Sequence, residues 1–450
     1  MSHLSVAKFG GTSVANYPSM QSCANIVIAD PNTRVVVLSA SAGVTNLLVA
    51  LANGCEEAER NKLLNEVRQI QENILTELKD DSRVRPKVEA LLANITSLAE
   101  AANLATSLAL TDELISHGEM MSSLIFVEVL RELQIEATWL DVRTIVATNS
   151  HFGKAAPNDE QTRQNCDNLL KPLIERGELV ITQGFIGRDE QGKTTTLGRG
   201  GSDYSAALLA EVLNAQDVLI WTDVAGIYTT DPRIVPNAQR IDTMSFSEAA
   251  EMATFGAKVL HPATLLPAVR SNIPVYVGSS KAPQDGGTWV TRNPQPRPTF
   301  RAIALRRDQT LLTLSSLNML HAQGFLANIF TILAKHKISV DTITTSEVSV
   351  ALTLDKTGSA SSGASLLSEE LLRELSEFCT VKVDVGLSLI ALIGNELHTA
   401  SGVAKRIFET LDAYNIRMIS YGASTNNICL LADSDKADDI VRVLHRSLFE

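Results

Sequence analysis

The chain has 450 residues, of which 45% are hydrophobic and 20% are charged, and its formal net charge at pH 7 is -12. Because single hydrophobic cores usually stop growing below this length, we expect two or more domains and no wholesale disorder. The negative balance, with no long cluster of Lys and Arg, excludes a DNA or RNA partner, since a polyanion would be repelled.

Short apolar runs alternate with helical stretches over the first 290 or so residues. The apolar runs lie at residues 4–9, 35–39, 179–183 and 218–222, and residues 61–133 have helical periodicity. Strands that alternate with helices predict an α/β fold, a mostly parallel sheet between helical layers. The uncharged stretch at 35–55 is interrupted by polar residues, so we interpret it as a strand, a loop and a helix, not as a membrane span.

The first motif is KFGGTS at residues 8–13, which ends the first predicted strand. Gly10 and Gly11 allow backbone amides to approach an anion, and Lys8 can project a positive charge towards it. The alternative is that this glycine pair only forms an ordinary turn after the strand. The chain has no Walker A sequence, which disfavours a P-loop enzyme.

Two further segments suit a ligand crevice at the carboxyl ends of the strands. SASAGVT at 39–45 is rich in hydroxyls and is interpreted either as part of that crevice or as the cap of the next helix. LGRGGSD at 197–203 is suited to wrapping a ligand with its backbone, with Arg199 as a fork for a carboxylate. The alternative is that Asp203 is only an N-cap and Arg199 only a surface residue.

Glu119 lies on a predicted helix at 112–133, on one face with Ser116, Ser122 and Ser123. That face admits a polar ligand, although most glutamates are solvated surface residues.

WTDVAGIYTTDPR at 221–233 has the hydroxyls, aromatic ring and arginine of a nucleotide loop, as do many ordinary loops. Lys258 follows a helix that begins with a Ser245–Glu248 capping box, so it is either a helix-dipole partner or a second phosphate-binding cation.

At residues 292–298, RNPQPRP predicts an extended connector. We place a first domain at 1–292 and a C-terminal region at 300–450, where the pattern predicts two ferredoxin-like units. The second unit lacks a strand that residues 300–305 can supply. The first unit, about 308–385, is therefore predicted to be inserted in the second, about 300–307 plus 386–450.

The five cysteines are scattered, and neither they nor the histidines have metal-ligand spacing, so His261 is interpreted as structural. Reduced thiols and the absence of a secretory leader predict a cytoplasmic protein.

Together these segments resemble the aspartokinases of the amino acid kinase family. The resemblance rests on KFGGTS, GRGGSD, WTDV with GIYTTDPR, FGAKVLHP at 255–262, and SVDTITTSEVSVALTLD at 339–355, which is similar to the family's first regulatory ACT unit. It covers essentially the full chain and is of the monofunctional, lysine-sensitive type, with no dehydrogenase domain expected after residue 450.

The resemblance implies an amino acid kinase fold followed by two ACT units. It implies an aspartate kinase that transfers the γ-phosphate of ATP to the β-carboxylate of L-aspartate, giving 4-phospho-L-aspartate, the first step towards lysine, threonine and methionine. The family uses Mg-ATP, with the metal carried mainly by phosphates. Because the β-carboxylate is ionised at pH 7, no general base is needed, and positioning can supply roughly 7 to 11 kcal/mol of the barrier.

The residues that the resemblance assigns fall into three groups. Those at the ATP site are Lys8, Gly10, Gly11, Thr222, Asp223, Tyr228, Arg233 and Lys258. Those that hold aspartate are Ser39, Thr45, Glu119, Arg199, Gly200, Gly201 and Ser202, with Arg199 on the α-carboxylate and Glu119 near the ammonium. The catalytic residues are Lys8, Lys258 and Asp203, which orients the lysines.

The allosteric effector positions of relatives fall on Met319, Ala322, Phe325, Leu326, Ser339, Val340, Asp341, Ser346 and Glu347. Asp341 and Glu347 suit the two ammonium groups of L-lysine, the expected feedback inhibitor. Ala322 stands where the resemblance leads us to expect a serine. This difference affects the predicted affinity for the inhibitor more than the predicted identity of the inhibitor. The same residues also suit a dimer interface, and we expect a homodimer through the ACT units, or a tetramer.

Two alternatives stay open. One is another kinase of this fold, acting on glutamate, acetylglutamate or a nucleoside monophosphate. The other is a catalytically silent amino-acid sensor.

Overall fold

The computed structural model describes residues 3–256, 260, 262–319, 323–355 and 367–450. Three of the predicted positions, Lys258, His261 and Ala322, lie outside the described residues. The chain packs as two compact units. One comprises Met1–Ile227, Arg240–Ala249 and Lys258–Gln295, and the other comprises Tyr228–Gln239, Ala250–Ala257 and Pro296–Glu450.

The elements before the proline-rich connector are, in chain order, β1 (Ser5–Phe9), α1 (Tyr17–Ala29), β2 (Thr33–Leu38), α2 (Val44–Ala52), α3 (Glu57–Leu75), α4 (Arg85–Leu104), α5 (Leu108–Glu132), β3 (Ala137–Trp139), α6 (Asp159–Asn165), α7 (Lys171–Glu175), β4 (Leu179–Gln183), β5 (Ile186–Arg188), β6 (Thr194–Thr196), α8 (Gly201–Leu213), β7 (Asp217–Thr222), β8 (Thr243–Ser245), α9 (Phe246–Thr254), α10 (Leu266–Arg270), β9 (Val275–Ser279) and β10 (Gly287–Thr291). Short 3₁₀ helices occur at Gly11–Val14, Val142–Thr144, Pro262–Leu265, Pro283–Asp285 and Leu317–Met319, and Cys166–Leu170 is a π-helical turn.

An eight-stranded sheet forms the centre of the first unit, in the order β3-β4-β2-β1-β7-β9-β10-β8. The first six strands in this order are parallel, and β10 runs antiparallel to β9. All five residues of β1 are buried, as expected of a central strand that is covered on both faces. The predicted α/β fold with a mostly parallel sheet is confirmed.

Helices α2 to α5 form a layer with a single apolar core. Leu63, Val67 and Ile74 of α3 are buried, which is the stripe that helical periodicity predicts. Helix α5 begins four residues earlier than expected because Ser107 caps it, its hydroxyl accepting a hydrogen bond from the Leu110 amide at 3.2 Å. No described helix combines the length and the apolar character needed to cross a bilayer.

The second unit contains, after the connector, β11 (Phe300–Ser315), α11 (Phe325–Lys335), β12 (Ser339–Thr345), β13 (Ser349–Asp355), α12 (Glu369–Ser376), β14 (Thr380–Gly394), α13 (Val403–Thr410), β15 (Ile416–Tyr421), β16 (Asn427–Asp433) and α14 (Ala437–Phe449). They build an antiparallel sheet in the order β12-β13-β11-β14-β16-β15.

Two long strands run through both halves of this sheet. β11 pairs with β14 from Phe300 opposite Gly394 to Ser315 opposite Thr380, with register shifts between Arg306 and Leu311. Residues 300–305, predicted as a strand of their own, are therefore one end of a strand that continues to Ser315. The first end lies beside residues 389–394, and the second lies between β14 and β13.

Residues 228–239 pack within the second unit. Val235 belongs to an apolar core with Ile440 and Leu444 of α14. The Thr229 hydroxyl lies 2.9 Å from the Nε2 atom of the fully buried His445. This segment follows β7 in the sequence, but its packing partners are C-terminal.

Candidate active site

A cleft of about 370 Å³ opens in the first unit at the carboxyl ends of β1, β2 and β4. Because these parallel strands are neighbours, the segments that follow them meet at one edge of the sheet. The lining residues are Lys8, Gly11, Ser39, Ala40, Ser41, Ala42, Gly43, Thr45, Glu119, Phe185, Gly198, Arg199, Gly200, Gly201, Ser202 and Asp203.

Lys8 is the cation at the centre of this cleft. Its Nζ atom lies 2.7 Å from Oδ1 of Asp203, and the two side chains are 11% and 14% exposed. Asp203 lies in the first turn of α8, whose N-cap is Gly200, so the interpretation of Asp203 as the N-cap is wrong. The ion pair fixes the position of the ammonium group where a ligand can reach it.

Glycine is required at two positions of the cleft because neighbouring atoms lie too close for a side chain. A Cβ atom on Gly11 would lie 2.8 Å from the Ala40 carbonyl oxygen, and one on Gly201 would lie 2.7 Å from the ring of Phe185. The Ala42 amide donates to the Gly11 carbonyl at 3.1 Å, which joins the loops after β1 and β2. Side chains at these glycines would push apart the segments that form the site.

Two helices begin at the cleft. Gly43 and Gly200 are the N-caps of α2 and α8, and both adopt left-handed backbone conformations, with φ of 86° and 75°. The amides of a helix's first turn have no intrahelical acceptors and carry the positive end of the helix dipole. The cleft therefore favours anionic ligand groups at these two points.

Glu119 supplies the opposite charge. It is only 3% exposed, so the interpretation as a solvated surface glutamate is wrong. Burial raises the pKa of this carboxyl to about 8, although the Ala40 amide donates a hydrogen bond to it. Its Oε2 atom has no hydrogen-bond partner among the described residues. A buried carboxyl group of this kind is suited to receive a ligand cation.

Arg199 lines the same cleft and makes no ion pair with any residue that the structure describes. Its guanidinium group is therefore available to a ligand carboxylate. Together with Lys8 and the two helix ends, it makes the cleft suitable for a ligand with more than one anionic group.

The residues assigned to ATP are only partly brought together. Lys8 and Gly11 line the cleft, and the Gly10 amide donates to the Trp221 carbonyl at 3.1 Å. Thr222 is the last residue of β7, the strand next to β1, and Asp223 follows it. Tyr228 and Arg233 belong to the second unit, where the Arg233 side chain is 89% exposed and pairs with Asp231 at 2.6 Å. Their place at the nucleotide site stays a prediction.

The assigned effector residues come from consecutive elements of the second unit. Phe325 and Leu326 begin α11, and Ser339, Val340 and Asp341 lie on β12. Asp341 pairs with Nη1 of Arg306 at 3.0 Å. Met319 ends a short 3₁₀ helix, the Ser346 hydroxyl lies 2.7 Å from that of Ser349, and Glu347 is exposed.

Of the lining residues, Phe185 lies outside every segment that the sequence singles out. Ala40, Ser41, Ala42 and Gly43 belong to the SASAGVT segment and Gly198 to the LGRGGSD segment, without individual roles. Phe185 has φ of 73°, in the left-handed region that bulky side chains rarely adopt. It follows β4, so the rule that ligands bind at the carboxyl ends of strands would have found it.

Comparison with known proteins agrees with this geometry. The model of the amino acid kinase family matches residues 3–279, and an ACT domain model matches residues 390–448. The lysine-sensitive aspartokinase 3 of Escherichia coli K12 is 61% identical over 450 residues, 100% of both chains.

Two solved structures of E. coli aspartokinase III are similar over 100% of both chains. The complex with aspartate and ADP, in the R-state, has a TM-score of 0.88 at 61% identity. The complex with lysine and aspartate, in the T-state, has a TM-score of 0.88 at 60% identity. With the family model and the full-length identity in agreement, the chain belongs to the aspartokinases of the amino acid kinase family.

Proposed function

We propose that the chain is an aspartate kinase, which transfers the γ-phosphate of ATP to the β-carboxylate of L-aspartate. The observation that carries the proposal is one cleft lined by the Lys8–Asp203 pair, by the buried Glu119 and by Arg199, which makes no ion pair with a described residue. An amino acid with two carboxylates and one ammonium group matches these charges. The E. coli relative with the same fold is solved with aspartate and ADP.

The reaction needs alignment more than proton transfer. An oxygen of the β-carboxylate, ionised at neutral pH, bonds to the γ-phosphorus while the bond from that phosphorus to the bridging oxygen of ADP breaks. Arg199 binds the α-carboxylate and Glu119 the ammonium group. Lys8, with Lys258 as the second predicted cation, balances the charge on the transferred group, and Asp203 orients the lysine.

We also propose that Mg²⁺ enters with ATP and is held mainly by the phosphates. The Asp203 carboxylate is paired with Lys8. No group of three or more described His, Cys, Asp or Glu residues is arranged to hold a metal ion. The protein's part in this scheme is to bind the phosphates through Lys8 and the backbone amides of the glycine loops.

L-lysine is the proposed feedback inhibitor, because the E. coli relative is lysine-sensitive and is solved with lysine. Asp341 and Glu347 offer two carboxylates for its two ammonium groups. Since Asp341 pairs with Arg306, a bound lysine has to share the Asp341 carboxylate with that arginine or displace the arginine from it. Exposed apolar side chains such as Ile343 and Val385, 39% and 72% exposed, support a homodimer through this unit.

The domain division that we propose is a catalytic domain at 1–292 and two ACT units at about 308–385 and 300–307 plus 386–450. The pairing of Phe300 with Gly394 and of Ser315 with Thr380 supports the insertion of one unit in the other. Location in the cytoplasm stays a prediction from the sequence.

The test is ADP release with L-aspartate, with the acyl phosphate trapped by hydroxylamine as the hydroxamate, with and without L-lysine. We expect hydroxamate formation that requires Mg²⁺ and is suppressed by lysine. Parallel reactions with glutamate, acetylglutamate and a nucleoside monophosphate separate the other kinases of this fold. Lysine binding by calorimetry without any turnover would instead identify a silent sensor.

A further inference from the structure

Ser41 lies in the loop between β2 and α2 and lines the cleft. Its carbonyl accepts a hydrogen bond from the Val44 amide at 3.0 Å, which fixes the residue at the start of α2. The residue is 1% exposed, and its Oγ atom has no hydrogen-bond partner among the described residues. Nothing in the family assignment above gives this hydroxyl a role.

Three other buried hydroxyls of the first unit have partners. Ser122 donates to the Ser39 carbonyl at 2.8 Å, and Ser13 and Ser280 bond to each other at 2.6 Å. A buried hydroxyl without a partner costs free energy, and an alanine of nearly the same size would avoid that cost. The unpaired hydroxyl therefore suggests that a ligand supplies the partner.

The surroundings indicate an anionic partner. The amino end of α2, capped by Gly43, favours negative charge, and the Lys8 ammonium lines the same cleft. The buried Glu119 carboxyl is assigned to the ligand ammonium group in the function proposed above. A phosphoryl group, with three acceptor oxygens, matches a donor that lies beside a helix amino end and a lysine.

We propose that the Ser41 hydroxyl is a further catalytic residue, which donates a hydrogen bond to an oxygen of the phosphoryl group during its transfer. The inference rests on the function proposed above and deepens it. The hydroxyl keeps its proton, because the bond that forms joins the carboxylate oxygen to phosphorus and the bond that breaks releases ADP. Its contribution is to stabilise charge on the moving group.

The test compares Ser41→Ala with the wild type in the hydroxamate assay and in thermal unfolding without ligands. We expect kcat to fall about 10- to 100-fold, as for the loss of a hydrogen bond to a charged group, with little change in either KM. The Tm of the free protein should stay the same or rise, because no hydrogen bond is lost. Ser41→Thr, which keeps a hydroxyl, should recover part of the turnover.

Ser388→Ala is the matched control. Ser388 is fully buried in the second unit, and its hydroxyl lies 2.8 Å from that of Ser434. Loss of this bond should lower Tm and leave kcat unchanged, the opposite of the result expected for Ser41→Ala.

Three results would overturn the inference while the proposed function stands: unchanged kcat in Ser41→Ala, a lowered Tm like that of the control, or a Ser41→Thr variant as slow as Ser41→Ala. A wild-type protein that forms no hydroxamate would overturn the proposed function and this inference together.

Discussion

Lys8 and Asp203 form an ion pair that is mostly removed from water. The desolvation of two charges offsets much of their attraction, so such a pair contributes little to net stability. Its consequence is geometric, because the ammonium group is held at one place beside the glycine loops. Asp203 is thereby a positioning residue for the lysine.

Lys8→Ala should lower kcat by about 100- to 1,000-fold and change KM far less, because the lost charge acts mainly on the transition state. Steady-state kinetics with both substrates measure this split. Lys171→Ala removes an exposed lysine that pairs with Asp167 at 3.3 Å and should leave both constants unchanged. An unchanged turnover number in Lys8→Ala would reject the role.

Glu119 should make the ligand-free protein less stable as the pH rises. Burial raises the pKa of its carboxyl from 4.5 to about 8, so between these values the folded chain holds a proton that the unfolded chain has lost. Stability is therefore lost as pH rises through this window. Glu119→Gln removes the effect and should gain stability relative to wild type, on the order of 4 kcal/mol by pH 8.

Thermal unfolding at pH 5 and pH 8 measures the difference between wild type and Glu119→Gln. We expect similar Tm values at pH 5 and a higher Tm for the variant at pH 8. A difference that stays constant between the two pH values would contradict the raised pKa.

The charged site residues could be found from sequence because Lys8, Arg199 and Asp203 lie in glycine-rich segments that follow strands. The burial of Glu119 could not. Helical periodicity gives the face on which a residue lies, and what covers that face depends on the loop after β2, which is distant in sequence. The loop that contains Ser41 could be found from its hydroxyls, but whether the Ser41 hydroxyl has a hydrogen-bond partner is a property of the fold.

At the scale of elements, the loops after β1 and β2 are held together by main-chain contact. The Gly11 carbonyl receives the Ala42 amide, and no room remains for a side chain at Gly11. At the adjacent Gly10, a Cβ atom would have ordinary contacts, the nearest being Lys8 Nζ at 3.6 Å. Two neighbouring glycines thus have different structural requirements.

Gly11→Ala should therefore destabilise the first unit by about 1 to 3 kcal/mol, because the backbone at Ala40 has to move. Gly10→Ala should leave the stability of the free protein nearly unchanged. Thermal unfolding without ligands checks both. Equal losses in the two variants would mean that the contact between Gly11 and Ala40 is not decisive.

Element types were predictable and several boundaries were not. The alternation of apolar runs gave the parallel strands, and the Ser245 and Glu248 capping box is present, with the Glu248 amide 3.1 Å from the Ser245 hydroxyl. Helix α8 begins at Gly201, inside the glycine-rich segment, because a left-handed Gly200 serves as the N-cap. Composition alone favours a loop at such a glycine-rich start.

At the scale of the whole molecule, the second unit has two apolar cores on one sheet. Leu352 belongs to one core and Leu430 to the other, and both are fully buried. Strands β11 and β14 contribute to both halves. We therefore expect the two halves to open together.

Leu352→Ala and Leu430→Ala should each remove about 2 to 5 kcal/mol of stability. Hydrogen exchange on the full chain should show lost amide protection in both halves, in β16 for the first variant and in β13 for the second. Leu104→Ala, at a side chain that is 87% exposed, is the control that should change nothing. Losses confined to the mutated half would indicate independent units.

The division of the chain into two compact units could be predicted only in part from the sequence. A proline-rich connector marks a change of pattern, and it coincides with the start of the C-terminal part of the second unit at Pro296. The membership of residues 228–239 in that unit depends on contacts such as that of Thr229 with His445, which lie 216 residues apart in the chain. No local sequence pattern identifies a packing partner that lies so far away in the chain.

The shared strand β11 also limits how this chain can be shortened or recombined. A fragment that stops near residue 385 would leave Phe300–Arg306 without the neighbour that pairs with it at Leu389–Gly394. An open strand edge of that kind recruits other copies and aggregates. Exchange of effector specificity between relatives is therefore feasible only when the inserted half is replaced whole, from the register shift at Gln309 of β11 to its partner Leu387 of β14.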